Sequence, residues 1–438
     1  MLKSISLIRR QNSDGAGAAA GSPPEDVSHR VLAAAIAANA LEFFDFVAWS
    51  FYAVYIAAAY FPAESEALSL LLSVAVFGVG FLARPVGAIV LGLYADRKGR
   101  RPAMLASMAL ITLGTAVVAL TPGYASWGLF APIAVVVARL VQGFAIGGDV
   151  GAATAFLVEV APRTRRGLYS SWQLGSQGLA AMVAGLLGLT LTSTLSMQEM
   201  QAWGWRVPFL LSLLMIPLAI YLRRHMPETS TATVTSRLTV VASRQTSRVV
   251  GLAVLILAGA TISTYVSSYM TTFAVSALKL PAPVSMGATI VVGLFLFFGA
   301  IAGGWLSDRY GPLWPAVTSR LVLCILAVPL FSWLVDAPSL MRLLAAAAFM
   351  SVLTTLSGVP ALLAIAAALP SAHRARGIAI GYALATSIFG GTTQVLVTWL
   401  MHASGSALVP AWYVSLSSLL MCVALMFLVR KSARASMD

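Results

Sequence analysis

Five ionisable residues lie deep inside apolar stretches of this sequence: Glu42, Asp45, Arg84, Arg139 and Asp149. The two acids Glu42 and Asp45 stand three apart in "AANALEFFDFVAWSFYAVY", an otherwise apolar and aromatic run. An ion in such surroundings is costly unless something compensates it. Glu42, Asp45, Trp49 and Tyr52 recur at spacings of 3, 4 and 3, and so do Arg139, Gln142, Ile146 and Asp149. Each set therefore shares one stripe of a helix. At about 1.5 Å per residue, counted inward from the nearest charged boundary residue, Asp45 lies about 22 Å deep, Arg84 about 18 Å and Asp149 about 15 Å. Arg139 is ten residues further out on its own run. The depths place both aspartates and Arg84 in one layer, where they can compensate each other.

Two kinds of chemistry fit this set. Burial favours the neutral form of an acid and a nearby arginine favours the charged form, so a change of pairing makes the acid take up or release a proton. Asp45 and Asp149 are the expected carriers, with Arg139 and Glu42 beside them; Glu42 has no arginine at its level and reads as a neutral packing residue. A guanidinium grips a carboxylate through two parallel hydrogen bonds, so Arg84 and Arg139 suit an anionic substrate. A static buried ion pair pinning three helices is the bland alternative.

Polar side chains that could complete the site are Tyr52, Gln173, Ser176 and Gln177 in the first half, and Tyr265, Tyr269 and Gln394 in the second. Any one of these hydroxyls and amides also suits plain helix–helix hydrogen bonding. The second half has no acid at membrane depth, and Arg320 and Arg342 read as lying near span ends.

The elements that must position these residues follow from composition. The chain has 438 residues, 59% hydrophobic and 10% charged, whereas a soluble domain is about 45–50% apolar and about 25% charged. An all-α polytopic membrane protein is expected. Apolar runs near the roughly 20 residues that cross a bilayer predict twelve transmembrane helices: 31–60, 67–95, 102–121, 129–160, 168–195, 206–223, 249–277, 284–307, 314–334, 340–369, 376–403 and 408–429. Trp127, Trp203, Trp205 and Trp412 fall near outer boundaries, as an interfacial belt would.

The net charge of +13 sits in short loops between the runs. Most of it falls on one side, which puts both termini in the cytoplasm and sets nucleic-acid binding aside. Organisation is expected as a flexible tail (1–29), a six-helix bundle (30–223), a Thr/Ser-rich linker (224–248), a second six-helix bundle (249–430) and a short tail (431–438). Cys324 and Cys422 sit in separate apolar runs, so no disulfide and no metal site is expected. There is no phosphate-binding G-x-x-x-x-G-K-[ST] loop and no catalytic constellation at membrane depth, so no cofactor and no enzymatic activity is expected.

The halves resemble each other. "GLYADRKGRRPAM" and "GGWLSDRYGPLWPAV" place Asp96 and Asp308 212 residues apart, and "VAPRTRRGLYSSWQLGSQ" and "ALPSAHRARGIAIGYALATS" place Arg166 and Arg376 210 apart. A duplicated six-span unit suits alternating access around a midplane site. In the first loop Gly92 is expected to let spans two and eleven approach closely. Asp96 can cap a helix, and Arg100 can reach Glu159 at the end of span four, making a latch. The same basic loop would also serve topology alone.

This loop resembles the signature of the major facilitator superfamily. "LEFFDF", "FGVGFLARPVGAIVLG", "RLVQGFAIGGDVGAATAFLVEVAPRTRRG", "WGWRVPFLL" and "ATSIFGGTTQ" resemble its metabolite:proton symporter family, nearest its citrate and tricarballylate symporters. The second loop departs from the signature, with Pro312 where a basic residue is expected, so no full latch is expected at Asp308. Asp149 stands where the citrate-type proteins carry Glu. The resemblance implies a monomeric transporter of the bacterial inner membrane, importing a tricarboxylate with protons, with membrane lipid as its surroundings. A dicarboxylate, a shikimate-like acid or a zwitterionic osmolyte would fit the same fold as substrate, and a non-transporting membrane sensor is the reading from a different class.

Overall fold

A computed structural model describes residues 29–160, 165–214, 216–218, 220–221, 244–369 and 374–434; side chains at 148–160 and at some helix-end positions are outside the described residues. Those residues are almost entirely helical. Span one is built from His29–Phe51 and Ala53–Tyr60, span two is Glu66–Lys98, span three Arg100–Leu120, span four Phe130–Val160 and span five Arg166–Thr194. Spans seven to ten are Arg244–Ser276, Ala282–Tyr310, Leu313–Asp336 and Leu340–Ala368. Span eleven joins Arg374–Ala385 to Gly391–Ser404 through a π-helical turn, Thr386–Gly390, and span twelve is Val409–Arg434. Ten helices are long and apolar enough to cross a membrane, and the bent first span makes an eleventh. The sixth, Gly204–Leu218, is a shorter apolar stretch. Most of the expected linker and both tails lie outside the described residues. We call the face where span one begins and spans two and eight end proximal, and the opposite face distal.

Span one is not the straight helix its composition predicts. It bends by 70° at Tyr52. The break is held by span two: the Ser73 hydroxyl donates to the Ala53 carbonyl (3.0 Å), and the Trp49 indole donates to the Ser73 carbonyl (3.1 Å). Two side chains thus tie the break to the backbone across spans one and two.

Glycines set how closely the spans meet. A side chain at Gly143 would overlap the Gly80 carbonyl, and one at Gly147 the Arg84 carbonyl. Spans two and four therefore touch backbone to backbone beside both buried arginines, as small residues permit in membrane bundles. Spans five and eight meet in the same way at Gly178–Gly293 and Gly167–Gly304. The expected close approach of spans two and eleven at Gly92 is corrected: a side chain there would meet nothing within 4 Å, whereas one at Gly78 would overlap the Gly391 carbonyl. The contact lies fourteen residues towards the distal face; the proximal glycines of span eleven, Gly377 and Gly381, face Leu369 and span seven instead.

The two loop glycines repeat each other. Gly99 has φ 101° and ψ 160°, and Gly311, 212 residues on, has φ 82° and ψ 155°. Both are in the positive-φ region that favours glycine; Gly99 alone joins spans two and three, and Gly311 with Pro312 joins spans eight and nine.

At the distal face Ser196 and Glu199 form a capping box. The Ser196 backbone N–H and hydroxyl hold the exposed Glu199 carboxyl below its usual range. Trp127, Trp203 and Trp412 are about half exposed, as a belt requires, but Trp205 is fully buried. It packs edge-on against Tyr60 (5.3 Å) and Phe209 (6.1 Å), so it closes the N-terminal half's core.

Candidate functional site

Asp45 and Arg139 are almost wholly buried, at 1% and 0% exposure. They are joined by an amide. Gln142, one turn along span four from Arg139, donates from Nε2 to the Asp45 carboxylate (2.5 Å) and to the Thr115 hydroxyl (3.0 Å). Its Oε1 accepts from Arg139 Nη1 (2.9 Å). The stripe of Arg139 and Gln142 thus meets the stripe of Asp45 and Trp49, and the Arg139 guanidinium lies 4.1 Å over the Trp49 ring. One Asp45 oxygen and the Nε and Nη2 of Arg139 make no hydrogen bond among the described residues. Glu42, one turn nearer the proximal end, is buried and has a partner of its own.

This corrects the pairing expected from depth. Asp45 is bridged to Arg139, not to Arg84. The depth count for span four starts at Glu159, but a helix of 31 residues is about 46 Å long against an apolar core of about 30 Å. Its proximal end overruns the bilayer, so the count places Arg139 too far out.

Arg84 occupies a separate position, facing the C-terminal half. Its guanidinium lies 3.9 Å over Phe81 and 4.6 Å over Phe46. Tyr265 of span seven packs edge-on against the same Phe81 ring (5.1 Å), and Tyr382 lies on span eleven. Arg84 is 3% exposed, and its Nε and Nη2 make no hydrogen bond among the described residues. Those two nitrogens share one edge of the guanidinium, the edge that takes a carboxylate side-on.

Towards the distal face, polar contacts join the two halves. Gln394 Nε2 donates to the Ser50 hydroxyl (2.6 Å), and the Thr272 hydroxyl donates to the Ser50 carbonyl (2.9 Å). Gln394 Oε1 is a further buried acceptor with no donor among the described residues. Other expected site residues are engaged elsewhere. The Tyr269 hydroxyl pairs with Thr398 (2.8 Å), and that of Tyr52 donates to the Ala184 carbonyl (3.4 Å). Gln173 and Ser176 bind Asn39 of span one at 3.0 and 2.5 Å. Gln177 Nε2 is buried without an acceptor among the described residues.

A family model described as Major Facilitator Superfamily matches residues 34–382. The chain belongs to this superfamily. It is 37% identical over 405 residues to "Citrate-proton symporter" of Klebsiella pneumoniae, covering 91% of each. It is 30% identical over 421 residues to "Alpha-ketoglutarate permease" of Escherichia coli (strain K12), covering 93% of this chain and 95% of that relative. A crystal structure of a D-xylose-proton symporter superposes with a TM-score of 0.71 at 16% identity, covering 89% of this chain and 96% of that one, which shows the shared fold. The chain is a multi-pass membrane protein.

The two halves meet where span five packs on span eight and span two on span eleven, and one proximal contact is explicit. The Asp308 carboxylate at the end of span eight accepts from the backbone N–H groups of Gly167 (2.9 Å) and Leu168 (3.0 Å), at the start of span five. Its partner is a helix N-terminus and not a side chain, so the Pro312 that argued against a full latch does not prevent this contact. Of the other expected gating residues, Asp96, Arg100 and Glu159 have side chains outside the described residues, as does Asp149.

Sequence reasoning missed several contributors. Asn39, Ser50 and Thr115 are polar residues on the faces of spans one and three that turn inward; the stripe containing Asp45 signals Asn39 only weakly. Tyr382 carries no local signal. Arg320, read as near a span end, is fully buried and donates to the Ser263 hydroxyl (2.5 Å), because span nine enters the core within two turns of its start.

Proposed function

We propose that this protein imports a tricarboxylate, citrate or tricarballylate, together with protons, by alternating access across the bacterial inner membrane. The proximal face is then cytoplasmic, with both termini on that side. The observation that carries the reading is the buried Arg84, whose Nε and Nη2 make no hydrogen bond among the described residues, beside a separate buried acid–amide–arginine chain. A buried guanidinium with its side-on edge unused among the described residues suits an anion. Relatives at 37–38% identity named as citrate-proton symporters support the choice among anions.

One substrate carboxylate docks on Arg84 Nε and Nη2, and Tyr265 and Tyr382 close over it from spans seven and eleven. Further carboxyl groups reach Gln394 and the amides of span five. Asp45 carries the proton. While Arg139, through Gln142, holds positive charge beside it, the carboxylate is stable as an ion; when that charge moves, the apolar surroundings favour protonation. Asp149, on the same stripe as Gln142, is the second carrier. Proton binding and substrate binding then strengthen each other by the same factor. The Asp308 latch, with Asp96, Arg100 and Glu159 as its N-terminal counterpart, closes the cytoplasmic side in one state of the cycle. The monomer holds the whole site.

The second reading keeps the mechanism and changes the cargo to a dicarboxylate, and the match to a protein named as an α-ketoglutarate permease supports it. Proteoliposomes decide between them. Citrate or tricarballylate uptake rises with an inward proton gradient and collapses with a protonophore. Uptake indifferent to the gradient removes the coupling, and uptake of α-ketoglutarate without citrate installs the second reading.

A further inference from the structure

The two halves of the mechanism share no hydrogen bond or ion pair among the described residues. Arg84 and the Asp45–Gln142–Arg139 chain instead share an aromatic ring. Phe46, next to Asp45 in the sequence and 1% exposed, has the Arg84 guanidinium 4.6 Å and the Arg139 guanidinium 5.9 Å from its centroid. Phe77 and Phe81 pack against it at 4.8 and 5.2 Å, so the ring has little freedom to leave. Among the described residues, the charged and titratable groups around it are Arg84 on span two, Arg139 on span four, Asp45 and Glu42 on its own span, and Tyr265 across the interface.

We propose that Phe46 is the positioning residue that transmits substrate binding at Arg84 to proton uptake at Asp45. This rests on the symport reading above. Two cations compete for one ring: each is attracted by the electron density of the face and repelled by the other cation. A carboxylate docked on the free edge of Arg84 neutralises one competitor. Arg139 then moves closer to Phe46, and the movement draws its Nη1 from Gln142 and its charge from Asp45. Asp45 takes a proton from solvent, and the site holds substrate and proton together. Reversal on the cytoplasmic side releases both. Arg139 stands farther from the ring than Arg84, 5.9 Å against 4.6 Å, with its guanidinium also over Trp49 at 4.1 Å.

The test separates binding from coupling. Wild type, Phe46→Leu and Phe46→Tyr are reconstituted as full-length protein. Citrate counterflow, which needs no net proton movement, is compared with accumulation driven by a proton gradient, and citrate-induced proton uptake is read with a pH dye. In Phe46→Leu, which keeps an apolar side chain without a ring face, counterflow slows by no more than about threefold while accumulation and proton uptake per citrate fall by about 30-fold, the scale of one desolvated cation–π contact. Phe46→Tyr keeps the face and keeps the coupling. Accumulation by Phe46→Leu at the wild-type level overturns the proposal, and so does a parallel loss of counterflow and accumulation in both variants. Phe46→Met carries the same readouts if the leucine variant does not fold. Wild-type citrate transport without proton uptake would instead refute the symport reading itself.

Discussion

Replacing Asp308 with alanine tests the latch most directly. Its carboxylate accepts two backbone N–H groups at the start of span five, at 2.9 and 3.0 Å. Losing a capping side chain costs about 1 kcal/mol, and losing the anion at a helix N-terminus about 1 more in a partly buried setting. A sum of about 2 kcal/mol is a factor of about 30 in an equilibrium. The contact exists only while the proximal side is shut, so the variant favours the proximally open state by that factor. From equal populations, the distally accessible fraction falls from about one half to about one in thirty, and the apparent KM for substrate offered from the distal side rises about 15-fold. Ser171, packed against Gly304 beside the latch, is the reporter: in a background with Cys324 and Cys422 replaced by serine, Ser171→Cys reacts faster with a maleimide when Asp308 is gone. Asp308→Asn, keeping one acceptor oxygen without the charge, falls between. Labelling rate and KM both within twofold of the parent in Asp308→Ala would refute the reasoning.

Asp45→Asn retains a partner for Gln142 but no titrating group, so it abolishes gradient-driven accumulation and keeps counterflow; normal accumulation would strike Asp45 from the proton path. Arg84→Lys exchanges a two-pronged edge for a point charge. With hydrogen bonds to charged groups worth about 1.5–3 kcal/mol each, the loss of one raises the substrate KM about 10- to 100-fold while the melting temperature in detergent barely changes; an unchanged KM would return Arg84 to a packing role. Gly143→Ala drives a methyl into the Gly80 carbonyl and costs about 1–3 kcal/mol or more by overpacking, read as a lower melting temperature, whereas Gly92→Ala, facing open space, melts with the wild type.

The span pattern is legible because twenty-residue apolar runs have few other uses, and the inward faces of spans one and four because their polar residues keep helical spacing. What spacing cannot reveal is tilt, bend and overrun. A depth count that takes span ends for bilayer edges matches Asp45 to Arg84, and span four runs well past one edge. The bend at Tyr52 leaves no proline or glycine in the sequence; it is written in Ser73 and Trp49, a hydroxyl and an indole on different spans. Gly92 lies in the recognisable loop and packs against nothing, while Gly78 and Gly391, which carry the contact, look like ordinary membrane glycines. Asn39 and Tyr382 become visible only when the spans are assembled.

The π-helical turn at Thr386–Gly390 has a phase consequence. Tyr382 and Gln394 are twelve residues apart, so on an unbroken α-helix their directions differ by about 120°. A single extra residue absorbed in the turn leaves eleven to count, and the difference shrinks to about 20°. One inserted residue thereby swings the distal half of span eleven about its axis until the tyrosine beside Arg84 and the glutamine on Ser50 look the same way. Were the turn to relax to α-helical winding during transport, Gln394 would rotate off Ser50 while Tyr382 stayed on Arg84. The distal contact would part while the carboxylate on Arg84 stayed docked: a thread with one spare residue, able to unscrew one end of a helix while the other holds still.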